Sequence, residues 1–222
     1  MRLLAIDTSS EACAVGVVDG VRAVMRSETV GRGHAERLMG MIEAALREAD
    51  LKPADLDCIA VTVGPGSFTG LRVGIAAARG LALAIGRPAV GIGTLAIHAE
   101  AARATAGSQS VLAVLAAGRG ELYGAVYAAD GSEREAPRAA TAQVLAALVG
   151  PGIVLAGSGA DLVLAALPMD MKPVVAHRSA SPDIGALCRL AVLAPSPVAP
   201  PKPLYLRLPD AKPQDGARIA RR

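Results

Sequence analysis

One stretch of the sequence, residues 61–74, constrains the fold more than any other. An apolar, β-branched run from Cys58 to Val63 meets a Gly-Pro-Gly turn, and a segment of small residues from Thr69 to Ile85 follows. This order predicts a buried strand, a sharp turn and the start of a helix. The turn brings backbone N–H groups to a helix N-terminus, which suits anions. No Gly-Lys-Ser/Thr follows, so the turn is not a Walker loop.

The helix after this turn carries a face of small residues. Gly70 and Gly74 lie four residues apart, and Ala77, Ala78 and Ala82 continue the same surface. Small residues allow another backbone to approach closely. The pattern leaves two interpretations open, a tight strand-to-helix corner packed inside the domain or a docking surface for another helix or chain.

The composition is that of a folded protein with an aliphatic core. The 222 residues are 52% hydrophobic and 19% charged, enough for one domain or two small ones. Only 2% are aromatic, which argues against a surface that reads RNA by base stacking. Three widely spaced cysteines form neither a zinc pattern nor a disulfide framework and indicate a reducing cytoplasm. Neither a signal peptide nor a membrane span is expected.

Charge and proline are concentrated at the C-terminal end. Residues 195–222 contain six basic and two acidic residues, which is a net charge of +4. The whole chain has a net charge of +3, so the rest of the chain carries about −1. A near-neutral body is not a nucleic-acid-binding domain by itself. Seven of the fifteen prolines lie in the same segment. They predict an extended tail whose apolar centre, residues 204–206, packs on the body and whose end after Pro213 is disordered.

Two similar runs of elements follow one another along the chain. Each has three strands joined by hairpin turns, then a helix, a strand and a further helix. The repeat is one of topology and not of sequence. It predicts an α/β chain of two lobes, each a mixed sheet with helices. The lobes are residues 1–106 and a smaller lobe at 107–194, and the proline-rich basic tail follows at 195–222.

Two lobes that each begin with a three-stranded meander resemble the actin, hexokinase and Hsp70 superfamily, the actin-like or ribonuclease H-like fold. In that plan an acidic residue ends the first strand and a neighbouring hairpin handles phosphate. Asp7, Thr8 and Ser9 take this place. Gly157 and Gly159 resemble the superfamily's adenosine-contacting glycine turn, and a plain strand-to-helix turn is an equal alternative.

Four motifs together resemble the TsaB family, also called YeaZ. They are residues 5–9 (AIDTS), 33–38 (GHAERL), 64–74 (GPGSFTGLRVG) and 204–207 (LYLR). The resemblance covers nearly the whole chain, firmly in the first lobe and more loosely in the second. Residues 64–74 are its most specific part.

The resemblance implies a cytoplasmic, non-catalytic bacterial protein that docks on TsaD. TsaD is the catalytic subunit that transfers a threonylcarbamoyl group to N6 of adenosine 37 in tRNAs reading ANN codons. The resemblance also implies the ATPase TsaE as a partner, tRNA contact through the complex, and self-association through the same surface when alone. It implies no cofactor of the chain's own, since ATP or ADP and Mg²⁺ would enter only within the complex.

The docking surface is expected on two helices of the first lobe. The helix from Met39 to Ala49 is expected to expose Met41, Ile42 and Leu46 beside the small-residue helix, so that a partner's matching pair completes a four-helix bundle. Part of this face must also cover the lobe's own sheet, and the sequence does not divide the two roles. Gly74→Leu is expected to break docking and leave a folded monomer. The residues assigned to this interface are His34, Leu38, Met41, Ile42, Leu46, Gly70, Leu71, Gly74 and Ala78.

The metal and phosphate equipment of relatives is incomplete in this chain. TsaD-like relatives hold a metal with a His-x-x-x-His pair, and here His34 is followed by Leu38 at the second position. TsaB relatives often carry Asp where this chain has Ala116. His98 and His177 are interpreted as surface or core residues. We therefore assign no metal site and no catalytic residue.

The alternative function is an autonomous phosphotransferase or an M22-type metallohydrolase with an actin-like fold. The family carries an older glycoprotease or peptidase M22 label. Ser9, Ser10 and Ser67 are the candidate nucleophiles for proteolysis, but the sequence shows neither a nucleophile elbow nor a His/Asp partner pattern. Asp7 would be the first-lobe carboxylate of a kinase.

Overall fold

The computed structural model describes residues 1–118, 120–195, 197 and 199–207. These residues form two five-stranded sheets with helices on their faces. The strands are β1 (Arg2–Asp7), β2 (Ala12–Asp19), β3 (Arg22–Thr29), β4 (Cys58–Gly64), β5 (Ala89–Gly93), β6 (Ser110–Gly118), β7 (Glu121–Tyr127), β8 (Glu133–Ala140), β9 (Ile153–Ala156) and β10 (Val175–His177). The helices are α1 (His34–Glu48), α2 (Phe68–Ile85), α3 (Thr94–Ala106), α4 (Ala142–Ala146), α5 (Ala160–Ala165) and α6 (Ile184–Leu193), with a 3₁₀ turn at Pro53–Asp55.

The two sheets share one topology. The strand order is β3-β2-β1-β4-β5 in the first and β8-β7-β6-β9-β10 in the second. In each, the central strand is antiparallel to the strand after it and parallel to the strand that follows the first helix. The predicted two-lobed α/β fold is therefore confirmed.

Two helices cross between the lobes. α6 follows the second sheet in the chain, yet its Leu187 belongs to the apolar cluster on the first sheet with Leu3 and Ala5. α3 follows the first sheet and places Leu95 and Ala99 in the core of the second. The predicted boundary between residues 106 and 107 therefore does not divide the apolar core into two independent parts, because α3 and α6 each pack against the sheet of the other lobe.

The apolar faces of α1 and α2 point toward the first sheet. We predicted that Met41, Ile42 and Leu46 are exposed, and this is wrong, because all three are buried in the sheet's core. An amphipathic helix covers a sheet with its one apolar stripe, so that stripe is not left for a partner. Six further residues assigned to the interface are also not exposed, namely Leu38, Gly70, Leu71, Gly74, Ala78 and the half-buried His34.

Gly70 and Gly74 allow α2 to lie directly against the end of β1. A Cβ atom on Gly70 would be 1.9 Å from the carbonyl oxygen of Thr8, and one on Gly74 would be 2.4 Å from Thr8 Oγ1. The Thr8 hydroxyl donates a hydrogen bond of 2.7 Å to the Gly70 carbonyl. The small-residue face is thus an internal corner. Gly74→Leu would displace Thr8, so we no longer expect this substitution to leave a folded monomer.

Three N–H groups at the Gly-Pro-Gly corner donate hydrogen bonds inside the protein. Ser67 N donates to the Ser9 carbonyl at 2.7 Å, and Leu71 N donates to the Ser67 carbonyl at 2.9 Å. Ser67 Oγ caps α2 by accepting from Gly70 N at 3.2 Å. These donors are not available to an anion, so the corner is a packed junction with the Ser9 turn.

Residues 199–207, here called the C-terminal strap, lie along the first lobe and reach the second. Leu204 N donates to the Val63 carbonyl at 2.7 Å. Gly64 has a φ of 116°, and a Cβ there would be 2.8 Å from the Leu204 carbonyl oxygen, so only glycine fits. The predicted packing of residues 204–206 is confirmed. The predicted disorder after Pro213 lies outside the described residues.

Arg207 ends the strap on the hairpin between β6 and β7. Its Nε donates to Glu121 Oε2 at 2.7 Å, and its Nη2 donates to the Gly118 carbonyl at 3.0 Å. Nη1 donates to the Ala117 carbonyl at 3.2 Å. The strap therefore connects the corner before α2 to the second lobe.

Gly70→Ala should destabilise the fold by about 2–3 kcal/mol, because the new methyl group would overlap the Thr8 carbonyl. Gly80→Ala is the matched control in the same helix, where a Cβ meets nothing within 4 Å. It should raise the free energy of unfolding by about 0.5–1 kcal/mol. Urea unfolding measures both. Equal effects of the two substitutions would contradict the close contact at Gly70.

Candidate functional site

Asp7 ends β1 as a fully buried carboxyl group. Its Oδ1 accepts hydrogen bonds from Ser9 N at 3.1 Å and Ser9 Oγ at 2.7 Å. Its Oδ2 has no hydrogen-bond partner among the described residues. Burial raises the pKa of Asp7, and the hydrogen bonds from Ser9 oppose this only in part. The structure thus brings Asp7, Thr8 and Ser9 together, but as a turn packed against α2.

A cavity of about 400 Å³ lies between the lobes. Both lobes line it, with Ser9, Ser10 and Ser67 on one side and Ala116 and Ser158 on the other. Hydroxyl groups are its main polar feature, and its single charged side chain among the described residues is an acidic one, Glu11. A phosphate group is normally held by cationic or N–H donors. The described lining therefore offers no cation to a nucleotide phosphate.

Gly157 and Gly159 turn the chain from β9 into α5. A Cβ on Gly157 would be 2.2 Å from the Val114 carbonyl oxygen, and Gly159 N donates to that same carbonyl at 3.1 Å. Both glycines therefore face β6. Ser158 between them lines the cavity, and its hydroxyl accepts from Ala116 N at 3.1 Å. The geometry fits the strand-to-helix turn better than an adenosine contact.

The three candidate serine nucleophiles are engaged in structural hydrogen bonds. Ser9 Oγ donates to Asp7, Ser10 Oγ donates to Ser181 Oγ at 2.9 Å, and Ser67 Oγ caps α2. His34 lies at the start of α1, and its Nε2 is 3.0 Å from the Ser10 carbonyl oxygen. This contact is with the backbone and not with a serine hydroxyl group. In the part of the chain that the structure describes, no group of three or more His, Cys, Asp or Glu residues could hold a metal.

His98 and His177 come together although the sequence separates them widely. Their ring centroids are 5.2 Å apart, and His177 Nε2 is 3.2 Å from the His98 carbonyl oxygen. His98 is fully buried, and neither ring nitrogen has a hydrogen-bond partner among the described residues. Burial, with a contribution from His177, lowers the pKa of His98 to about 3. His98 is therefore neutral at physiological pH. Sequence reasoning missed this pair, because only the α3–β10 contact creates it.

The outward face of the helix pair exposes apolar residues of the first lobe. It consists of Met39 on α1 and Ala76, Gly80 and Leu83 on α2, all exposed. Leu83 is 85% exposed and Met39 is 50% exposed. Such side chains lose water contact when another protein covers them, which favours association. The buried residues that we assigned to an interface therefore lie on the opposite side of the helices from the surface that a partner could reach.

α2 carries apolar residues on its outward face as well as on its inward face, and Arg72 and Arg79 are also exposed on the outward side. By length and composition alone it could cross a membrane, and 33% of its residues are buried in this fold. Here it packs on the sheet through β4. Its high apolar content therefore reflects one face in the core and a second face that is free to contact a partner.

Comparisons with known proteins find relatives that are named for tRNA modification. Residues 25–174 match the family model described as TsaD, tRNA N6-adenosine threonylcarbamoyltransferase. The tRNA threonylcarbamoyladenosine biosynthesis protein TsaB of Escherichia coli is 39% identical over 130 residues, which are 59% of this chain and 56% of that protein. The aligned region thus spans about half of the E. coli relative.

Two further relatives match over nearly their full length. An uncharacterized protein of Mycobacterium tuberculosis is 39% identical over 215 residues, 95% of this chain and 94% of that protein. A crystal structure from Pseudomonas aeruginosa, described as similar to peptidase YeaZ, superposes with a TM-score of 0.80 and 32% identity. It covers 93% of this chain and 99% of the other.

The buried neutral His98 should make the protein sensitive to acid. The unfolded chain binds a proton on this histidine near pH 6.5, whereas the folded chain does not until about pH 3. The stability that the neutral His98 contributes is therefore fully present above pH 6.5 and is lost as the pH falls from 6.5 toward 3. His98→Leu and His98→Gln should each reduce the loss of unfolding free energy between pH 7 and pH 5 by about 2 kcal/mol. Urea unfolding at both pH values tests this, and an unchanged loss in both variants would contradict it.

Proposed function

Because this chain belongs to the TsaB (YeaZ) family of the actin-like superfamily, we propose that it is a non-catalytic subunit of tRNA modification. Its role is in tRNA threonylcarbamoyladenosine biosynthesis. In this proposal it docks on TsaD and holds TsaD in an active conformation, and together with TsaE it supports N6-threonylcarbamoylation of adenosine 37 in tRNAs reading ANN codons. We place this modification reaction in the cytoplasm.

The outward face is the observation that carries the proposal. Leu83 on α2 and Met39 on α1 are both exposed, and a catalytic cleft does not require this exposure. Ala76 and Gly80, on the same face of α2 as Leu83, would let a partner helix approach closely. This combination suits a helix pair from another protein, which would complete a four-helix arrangement.

TsaD is a suitable partner because it has a related fold. The family model that matches residues 25–174 is that of TsaD itself, and this range includes α1 and α2. Two related chains can present equivalent helix pairs to each other across a pseudo-twofold axis. The same geometry allows two copies of this chain to associate when TsaD is absent.

The cleft supports a non-catalytic assignment. Its described walls offer hydroxyl groups and Glu11, without a cation for phosphate, and Ala116 occupies the second-lobe position where a carboxylate would bind Mg²⁺. ATP or ADP and Mg²⁺ therefore enter the proposal only through TsaD and TsaE. The tRNA likewise meets the complex and not this chain alone.

Leu83→Glu should weaken docking to TsaD at least about tenfold, because it places a charge in an apolar contact. The fold should survive, since the side chain is 85% exposed. Met169→Glu is the matched control in the second lobe, where the side chain is 95% exposed. Isothermal titration with TsaD of the same organism measures both. Normal binding by the Leu83→Glu protein would place the docking surface elsewhere.

The alternative, an autonomous phosphotransferase or M22-type metallohydrolase, makes an opposite prediction for the isolated chain. We expect purified protein with ATP and Mg²⁺ to show no steady release of phosphate in a coupled assay. Asp7→Ala should leave that background unchanged. Steady turnover that disappears in the Asp7→Ala protein would overturn the non-catalytic proposal.

A further inference from the structure

Three side chains form an exposed cluster where α2 begins. The rings of Phe68 and Tyr205 have centroids 5.3 Å apart. The guanidinium of Arg72 lies over the Phe68 ring at 3.8 Å, and its Nε donates to the Tyr205 hydroxyl at 3.1 Å. Phe68 remains 54% exposed and Tyr205 46% exposed. Two of the four aromatic side chains in the chain thus sit together in water, although the core has few aromatic groups.

The C-terminal strap holds this cluster in place. Leu204, the neighbour of Tyr205, is bonded to Val63 on β4, and Arg207 is bonded to the β6–β7 hairpin. Tyr205 is therefore fixed on both sides along the strap. Because Phe68 and Arg72 belong to the first turns of α2, all three side chains are carried by anchored backbone.

The contacts within the cluster hold the Arg72 guanidinium in place but leave some of its N–H donors without an acceptor among the described residues. One face of the guanidinium is stacked on Phe68, and Nε is bonded to Tyr205. Among the described residues, no hydrogen bond from its two terminal nitrogens is present. A guanidinium held by stacking has already lost most of its rotamer freedom, so a new bond costs less entropy. Its remaining fork matches a planar carboxylate.

We propose that this cluster is the anchor of the docking surface and that the Arg72 fork binds a carboxylate side chain of the partner protein. The inference rests on the proposed function, because it assigns the chemistry of the same interface. Apolar partner side chains would cover the Phe68 and Tyr205 rings, and Ala76, one turn further along α2, continues into the outward face. Exposed aromatic rings beside an arginine that becomes buried when the partner binds are typical of interface hot spots.

A protein carboxylate fits this surface better than a phosphate group. The rings and Ala76 offer apolar area on both sides of the fork, which a protein side chain can cover. A nucleic-acid backbone gains mainly from clustered cations, whereas Arg72 is the one cation among the three side chains of this cluster. The partner is therefore expected to present Asp or Glu within an apolar patch.

Titration with TsaD of the same organism tests the inference on the full chain. Arg72→Lys keeps the charge and loses the fork, so it should weaken binding at least about tenfold. Tyr205→Phe keeps the ring and removes the hydroxyl that holds Nε, so it should weaken binding about threefold. Arg134→Lys, at an exposed position on β8, is the matched control and should bind as wild type. Thermal melts should be unchanged for all three variants, because each altered group is at the surface.

The outcomes separate this inference from the proposed function. If wild type binds TsaD and the Arg72→Lys protein binds equally well, the anchor is wrong and the docking proposal stands. If wild type does not bind, both fail. A parallel titration with tRNA covers the phosphate alternative. Loss of tRNA affinity in the Arg72→Lys protein, with TsaD affinity unchanged, would also overturn the carboxylate assignment.

Discussion

The contact between Thr8 and the glycine face of α2 determines how the first lobe is arranged. Thr8 follows the last residue of β1, and its backbone lies so close to Gly70 that no other residue fits there. Its hydroxyl bonds to the Gly70 carbonyl, and the next residue, Ser9, accepts from the N–H of Ser67. The two most distinctive motifs of the sequence, residues 5–9 and 64–74, are therefore one physical unit. Its rigidity fixes the direction in which α2 leaves the sheet.

That direction decides which residues a partner can reach. The inward side of α2 is occupied by Thr8 and the sheet, so glycine there serves close packing within the chain. The outward side carries Ala76, Gly80 and Leu83 beside Met39, and the C-terminal strap adds Tyr205 at one end. In the proposed complex, docking and folding would use opposite sides of the same helix. In this account the small residues of the motif position the docking surface and do not form it.

Much of the fold could be predicted from the sequence, because strand and helix periodicities are local. The meander, the helix after the Gly-Pro-Gly turn and the repeated topology followed from such patterns. The side of α2 that faces the core could not be predicted, since α2 has apolar residues on more than one face. α1 has a single apolar stripe, and that stripe faces the sheet. The placement of α6 on the first sheet and the His98–His177 pair depend on contacts distant in sequence. Tyr205 belonged to a predicted motif, but its contact with Phe68 and Arg72 required the path of the strap.

The lining of the cleft between the lobes supports the proposal that activity resides in a complex. Asp7 is retained at the end of β1, yet its environment is a buried turn, and Ala116 faces the cavity from the other lobe. The most direct measurement is threonylcarbamoylation of adenosine 37 with purified TsaD, TsaE, tRNA and threonylcarbamoyl-adenylate, with and without this chain. The account predicts modification that depends on added chain and saturates when it matches TsaD. Equal modification rates with and without the chain would contradict it.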